Sequence, residues 1–112
     1  MINAAATATE TAAANRWLVA ARLVRQGRSR YTPAGLRVQE LGFRFSGGVV
    51  EAGFERQLEF EFDVVAVGDV AGRLAEIALG TELLLNGFLA PTSRRSRRIR
   101  LHVTDYARHS GD

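Results

Sequence analysis

The sequence predicts an all-β domain, a five-stranded Greek-key barrel with one short helix between its third and fourth strands. Three observations point there. Apolar and strand-favouring residues recur in five runs between Asn15 and Tyr106, mostly with the alternation of half-buried strands. The run with helical spacing, Val70, Leu74 and Ile77, falls between the third and fourth of them. At 112 residues and 46% hydrophobic, the chain supports one domain around one core.

The elements follow in order. Residues 1–14, "MINAAATATETAAA", are of low complexity and carry no apolar stripe to dock a helix, so they read as a disordered extension. Strand one is Asn15 to Val24, long, apolar and partly β-branched. A loop then carries Arg25, Arg28, Arg30 and Tyr31 into "TPAG", where Pro33 suits the second position of a turn and Gly35 the fourth. Strand two, Leu36 to Phe45, changes phase: Leu36 and Val38 share one phase, and Leu41, Phe43 and Phe45 share the other. A bulge near Gln39–Glu40 would bring both sets to the core. "FSGGVVEAG" reads as a flexible glycine-rich loop.

Strand three alternates cleanly: Leu58, Phe60, Phe62 and Val64 inward, Glu59, Glu61 and Asp63 outward. The helix starts at Asp69 as N-cap and closes at Gly80. Strand four turns Leu83, Leu85 and Leu89 inward, with Gly87 in the same phase where the barrel must bend. Strand five places Ile99, Leu101 and Val103 inward. This β-β-β-α-β-β order is the layout of the OB-fold, whose second and third strands and one–two and four–five loops bind oligonucleotides. An SH3-like barrel has no helix at this point.

Charge is polarised along the chain. The net charge of +3 hides blocks of +6 over residues 15–44, −6 over 45–90 and +4 over 91–112. Every cation is arginine, the residue suited to phosphate forks and to stacking on bases. No run of eighteen apolar residues is present to span a membrane as a helix. There is no cysteine, which excludes disulfides and thiolate metal sites and fits a reducing cytoplasm. The two histidines, His102 and His109, form no Ser/His/Asp grouping or metal-ligand spacing, so no enzyme and no cofactor are expected.

Two stretches carry a family resemblance. "NRWLVAARLVRQGRSRYTPAG" resembles the opening of bacterial single-stranded DNA-binding proteins. "EAGFERQ", Glu51 to Gln57, and the closing "HSGD" resemble the primosomal replication protein N (PriB) family of that superfamily. The resemblance runs from Asn15 to Asp112. Classical members of the superfamily continue into a Gly/Pro/Gln-rich linker and an acidic tip; this chain stops six residues after Tyr106, as the tail-less PriB family does. The resemblance implies a homodimer with first strands paired across a two-fold. It also implies binding to single-stranded DNA, and contact with PriA helicase and other primosome proteins.

Three constellations are candidates for single-strand binding, which needs a cationic groove for phosphates and rings for bases. The first is the four–five loop, Arg94, Arg95, Arg97 and Arg98, with Arg100 just inside the strand. Like charge packed on one hairpin tip destabilises the free fold, and an anionic partner offsets it. The family also puts a cationic patch here, there mostly lysine. The second is Arg25, Arg28, Arg30 and Tyr31; the tyrosine either stacks on a base or a neighbouring arginine or packs its loop onto the barrel. The third is Phe54 with Arg56, where the family has an aromatic near the DNA path; alternatively Phe54 staples the glycine-rich loop to the core.

Where relatives can carry an exposed aromatic on strand three, this chain has Glu59, followed by Glu61 and Asp63. Those carboxylates repel phosphate unless Arg37 or Arg44 pairs with them across strands; Arg44 is also counted among the candidate DNA-binding residues. Trp17, Leu84 and Phe88 are candidates for a dimer interface. Two other readings of the same barrel stay open: an adaptor whose basic loops bind acidic proteins, and an RNA binder.

Overall fold

The computed structural model describes residues 14–109. Most of the extension expected over residues 1–14 lies outside them, as do residues 110–112. The elements are β1 (Trp17–Tyr31), β2 (Arg37–Glu51), β3 (Phe54–Val67), α1 (Asp69–Ala75), β4 (Glu82–Pro91) and β5 (Ile99–Arg108). The strands close into a barrel in the order β1-β2-β3-β5-β4, antiparallel except for the β3–β5 seam. This is the expected OB-fold.

The core follows from the alternation. Ala21 and Leu23 of β1, Leu41 and Phe43 of β2, Val64 and Ala66 of β3, Leu83 and Leu85 of β4, and Leu101 and Val103 of β5 are all buried in one cluster. Helix α1 plugs one end of the barrel with Val70, Ala71 and Leu74. The turn after β1 forms as expected, with Gly35 N–H donating to the carbonyl of Thr32 and Gly35 at positive φ. The bend at Gly87 is real as well. The β4–β5 register shifts between Asn86 and Gly87, and a Cβ at Gly87 would overlap the carbonyl oxygen of His102.

Several local expectations are corrected. β1 does not stop at Val24 but pairs with β2 up to Tyr31, so Arg25, Arg28, Arg30 and Tyr31 are strand residues and the loop proper is only the turn. The bulge expected at Gln39–Glu40 is absent, because β2–β3 pairing runs unbroken from Val38 to Glu51. The irregularities lie instead in β1, where register shifts between Leu23 and Arg25 and between Gln26 and Ser29 each add one residue. The phase change in β2 is resolved by turning Gln39 inward, while Val38 is buried outside the core cluster. Leu36 precedes the strand and is exposed.

"FSGGVVEAG" is not a loop. β2 and β3 form a long ribbon closed by the two-residue turn Ala52–Gly53, both at positive φ as a tight hairpin turn requires. Helix α1 begins one residue earlier than expected, with Gly68 as N-cap and Asp69 inside the first turn. It ends at Ala75, and Gly80 lies beyond it, donating its N–H to the carbonyl of Leu23. Ile99 is 59% exposed, because β5 begins at the barrel rim rather than within it.

Candidate nucleic-acid interface

The β4–β5 loop is short and defined. Thr92 N–H donates to the carbonyl of Arg98 at 2.9 Å, closing a tip whose residues include Arg94, Arg95 and Arg97. Within it Ser96 N–H donates to the Ser93 carbonyl at 3.2 Å, and Ser96 Oγ accepts from Arg98 N–H at 2.9 Å. These bonds spend the backbone groups of the turn on one another and leave the arginine side chains outside. Arg94, Arg95, Arg97 and Arg98 are all exposed.

The loop descends into a polar cleft of about 240 Å³, lined by Arg98, Arg100 and Thr92 on one side and Arg25, Glu40 and Asp63 on the other. Arg25 reaches this cleft from β1 because of glycine. Arg25, Gly42 and Asp63 are lateral neighbours on β1, β2 and β3. The Arg25 side chain lies across Gly42, where a Cβ would stand only 3.1 Å from its Nε and Nη2. Its guanidinium then meets Asp63 at 3.2 Å.

Beside it lies an apolar cleft of about 370 Å³. The concave face of the β2–β3 ribbon (Phe45, Leu58, Phe60 and Phe62) contributes, together with Trp17, Leu18 and Ile99 at the rim. Phe60 sits between Phe45 and Phe62 with ring centroids 5.3 and 5.7 Å away. Trp17 is half exposed, and its Nε1 donates to Asn15 Oδ1 at 3.0 Å. Asn15 in turn makes two hydrogen bonds with the Leu89 backbone, mimicking one more rung of the β1–β4 ladder.

The remaining sequence-predicted residues are distributed along the molecule. Arg28, Arg30 and Tyr31 occupy the exposed end of β1, and Tyr31 is 66% exposed, so it does not pack the turn onto the barrel. Phe54 is 74% exposed at the ribbon tip and staples nothing to the core. Arg56 pairs with Glu51 across that tip. The ribbon runs from Arg37, opposite Tyr31, to Glu51, opposite Phe54, a span of roughly 45 Å at strand rise. The structure thus joins the β4–β5 loop to β1 at Arg25 but sets Tyr31 and Phe54 at opposite ends of β2.

The acidic face of β3 is largely neutralised in place. Arg44 pairs with Glu59 at 2.8 Å and Glu61 at 3.2 Å. The Glu59 hydrogen bond and charge, then those of Glu61, hold the Arg44 guanidinium above its usual range. Arg37 does not take part; it donates to Ser29 Oγ. Asp63 pairs with Arg25 and, at 3.5 Å, with Arg98. Of the candidate dimer residues, Leu84 and Phe88 share the outer face of β4. Trp17 is paired with Gly87 and lies on the opposite face. Phe88 stacks on His102 at 4.9 Å.

Sequence reading missed the placement of Arg25, the Asp63 bridge and the apolar cleft. The available signal was glycine at Gly42 in an otherwise apolar strand, a mark of close approach by another group.

A closed barrel of this topology, with its helix between β3 and β4 and an arginine-rich β4–β5 loop, defines an OB-fold protein of the single-strand-binding class. The model of "another single-strand binding protein family" matches residues 15–105. Replication restart protein PriB of Bordetella pertussis is 42% identical over 93 residues, 83% of this chain and 87% of the relative. PriB of Nitrosomonas europaea is 38% identical over 76 residues, 68% of this chain and 70% of that one. The solved structure of PriB from Ralstonia solanacearum superposes with a TM-score of 0.78 at 35% identity, covering 86% of this chain and 98% of that one. The chain belongs to the replication restart protein PriB family within the single-strand binding proteins.

Proposed function

We propose that this protein is a single-stranded DNA-binding component of the replication-restart machinery and binds through its basic loops. One observation carries the reading. The arginines of the β4–β5 tip stand free of the barrel and continue into a cleft walled by Arg25 and Arg100. The phosphate backbone lies along this cationic surface, and exposed rings at Tyr31 and Phe54 extend it toward bases at either end. Arg28 and Arg30 flank Tyr31; Arg44 and Arg56 border the ribbon and hold carboxylates until DNA displaces them.

The protein acts by binding, without catalysis and without a cofactor. It works as a homodimer, for which Leu18, Leu84 and Phe88 on the outer face of β1 and β4 supply apolar surface, and it links PriA helicase to later loading factors. Family membership supports both statements. Among the described residues no helix is long and apolar enough to cross a membrane. The test is a titration of labelled oligo-dT and of a duplex of equal length at two salt concentrations. Preference for the single strand, weakening with salt, is expected; equal or absent binding to both contradicts the reading.

A further inference from the structure

We propose that Asp63 is a built-in competitor for the phosphate backbone. In the DNA-free protein its carboxylate occupies the place between Arg25 and Arg98 that a phosphate takes when single-stranded DNA binds. The inference rests on the DNA-binding reading of the β4–β5 loop.

The geometry points this way for four reasons. Asp63 Oδ1 faces Arg25 Nη2 at 3.2 Å and Oδ2 faces Arg98 Nη2 at 3.5 Å, so one carboxylate holds two arginines from different elements. Guanidinium forks match carboxylate and phosphate oxygens alike, so a site arranged around one anion suits the other. Both ion pairs are exposed, with the Arg98 side chain 80% accessible, so they are weak and easily exchanged. Finally, Arg100 lines the same cleft, and its buried Nε–H has no hydrogen-bond partner among the described residues.

Glu59 and Glu61 differ in that both hold Arg44, within the β2–β3 ribbon. Asp63 instead ties the β4–β5 loop, through Arg98, to the barrel wall at Arg25. Its carboxylate keeps Arg25 and Arg98 oriented toward the cleft in the absence of DNA. On binding, a phosphate takes over both guanidinia and Asp63 is left facing the backbone. The residue therefore lowers affinity: exchange favours a strand that delivers phosphate to both arginines at once over a single diffuse contact.

The test compares Asp63→Asn with Glu76→Gln, an equal charge change at the exposed end of α1, for oligo-dT binding at low salt. Asp63→Asn is expected to tighten binding about three- to thirty-fold, the sum of two weak ion pairs, and to steepen its salt dependence. Glu76→Gln is expected to change it less than twofold. In an Arg98→Ala background the gain from Asp63→Asn is expected to fall by more than half. Unchanged or weaker binding by a folded Asp63→Asn, or an equal gain from Glu76→Gln, overturns the proposal and leaves the functional reading standing. Failure of the wild-type protein to bind oligo-dT at all overturns that reading and the proposal with it. Circular dichroism of each variant separates misfolding from altered binding.

Discussion

Gln39 Nε2 donates a 2.9 Å hydrogen bond to Oε1 of Gln26 inside the barrel. Gln26 Nε2 donates in turn to the carbonyl oxygens of Leu74 and Ile77, at 3.0 and 3.2 Å. The Leu74 carbonyl, in the last turn of α1, also accepts from Ile77 N–H at 3.1 Å, so Gln26 gives it a second donor and holds the Ile77 carbonyl just beyond the helix. Two glutamines therefore fasten the plug helix to β1 and β2. Gln39 is the buried polar residue of the barrel wall, and the pair explains why β2 turns a polar side chain inward.

Replacing Gln26 with leucine removes its bonds to the Leu74 and Ile77 carbonyls and takes from Gln39 its shortest hydrogen bond. We expect a loss of about 1–3 kcal/mol in unfolding free energy. Urea denaturation checks it: the midpoint should fall with the slope unchanged.

Gly87→Ala tests the barrel bend. The added methyl group meets backbone, the His102 carbonyl, so no side-chain rotation relieves it. A loss of about 3 kcal/mol is expected, at the upper end of overpacking costs. Thermal melting reads it directly, and a melt equal to wild type would show that β4 and β5 can part there.

His102 gives a pH prediction. Burial chiefly, and Arg100 secondarily, push its pKa below the ordinary value. The unfolded chain therefore takes up the proton more readily than the folded one. Stability from this group is complete above the unfolded value of about 6.5 and is lost as pH falls toward the folded value. The urea midpoint of the wild type should drop as pH falls through about 6.5, the unfolded value, and His102→Gln should flatten that drop.

Dimerisation is read by sedimentation. The proposed homodimer predicts a dimer at micromolar concentration, and Leu84→Glu on the outer face of β4 should shift it toward monomer. A wild-type monomer at that concentration would contradict the assembly.

Much of the fold was legible because the inward phases of β3, β4 and β5 are nearly unbroken, and the helical stripe is isolated among them. What misled was glycine. Gln26-Gly27-Arg28 and Ser46-Gly47-Gly48 read as loops, yet both lie in paired strands. At Gly27 a Cβ would crowd the Glu40 carbonyl, and at Gly47 the Phe45 ring. These glycines mark close approach rather than a turn. The arginine loop was legible from composition alone, since nothing on a barrel core needs four such residues in five positions. Arg25 and Asp63 were not, because 38 residues separate them and only the β1–β2–β3 register brings them together.

The proposed function stands or falls on whether the β4–β5 arginines hold single-stranded DNA. The most direct measurement is fluorescence anisotropy of labelled oligo-dT with the Arg94→Glu, Arg95→Glu, Arg97→Glu, Arg98→Glu variant, alongside wild type over a salt series. Wild type should bind with a log–log salt slope near −3 to −4, corresponding to about four to six phosphates. The variant should keep its fold by circular dichroism and lose binding. A folded variant with unchanged affinity, or a wild-type slope near zero, would contradict the claim.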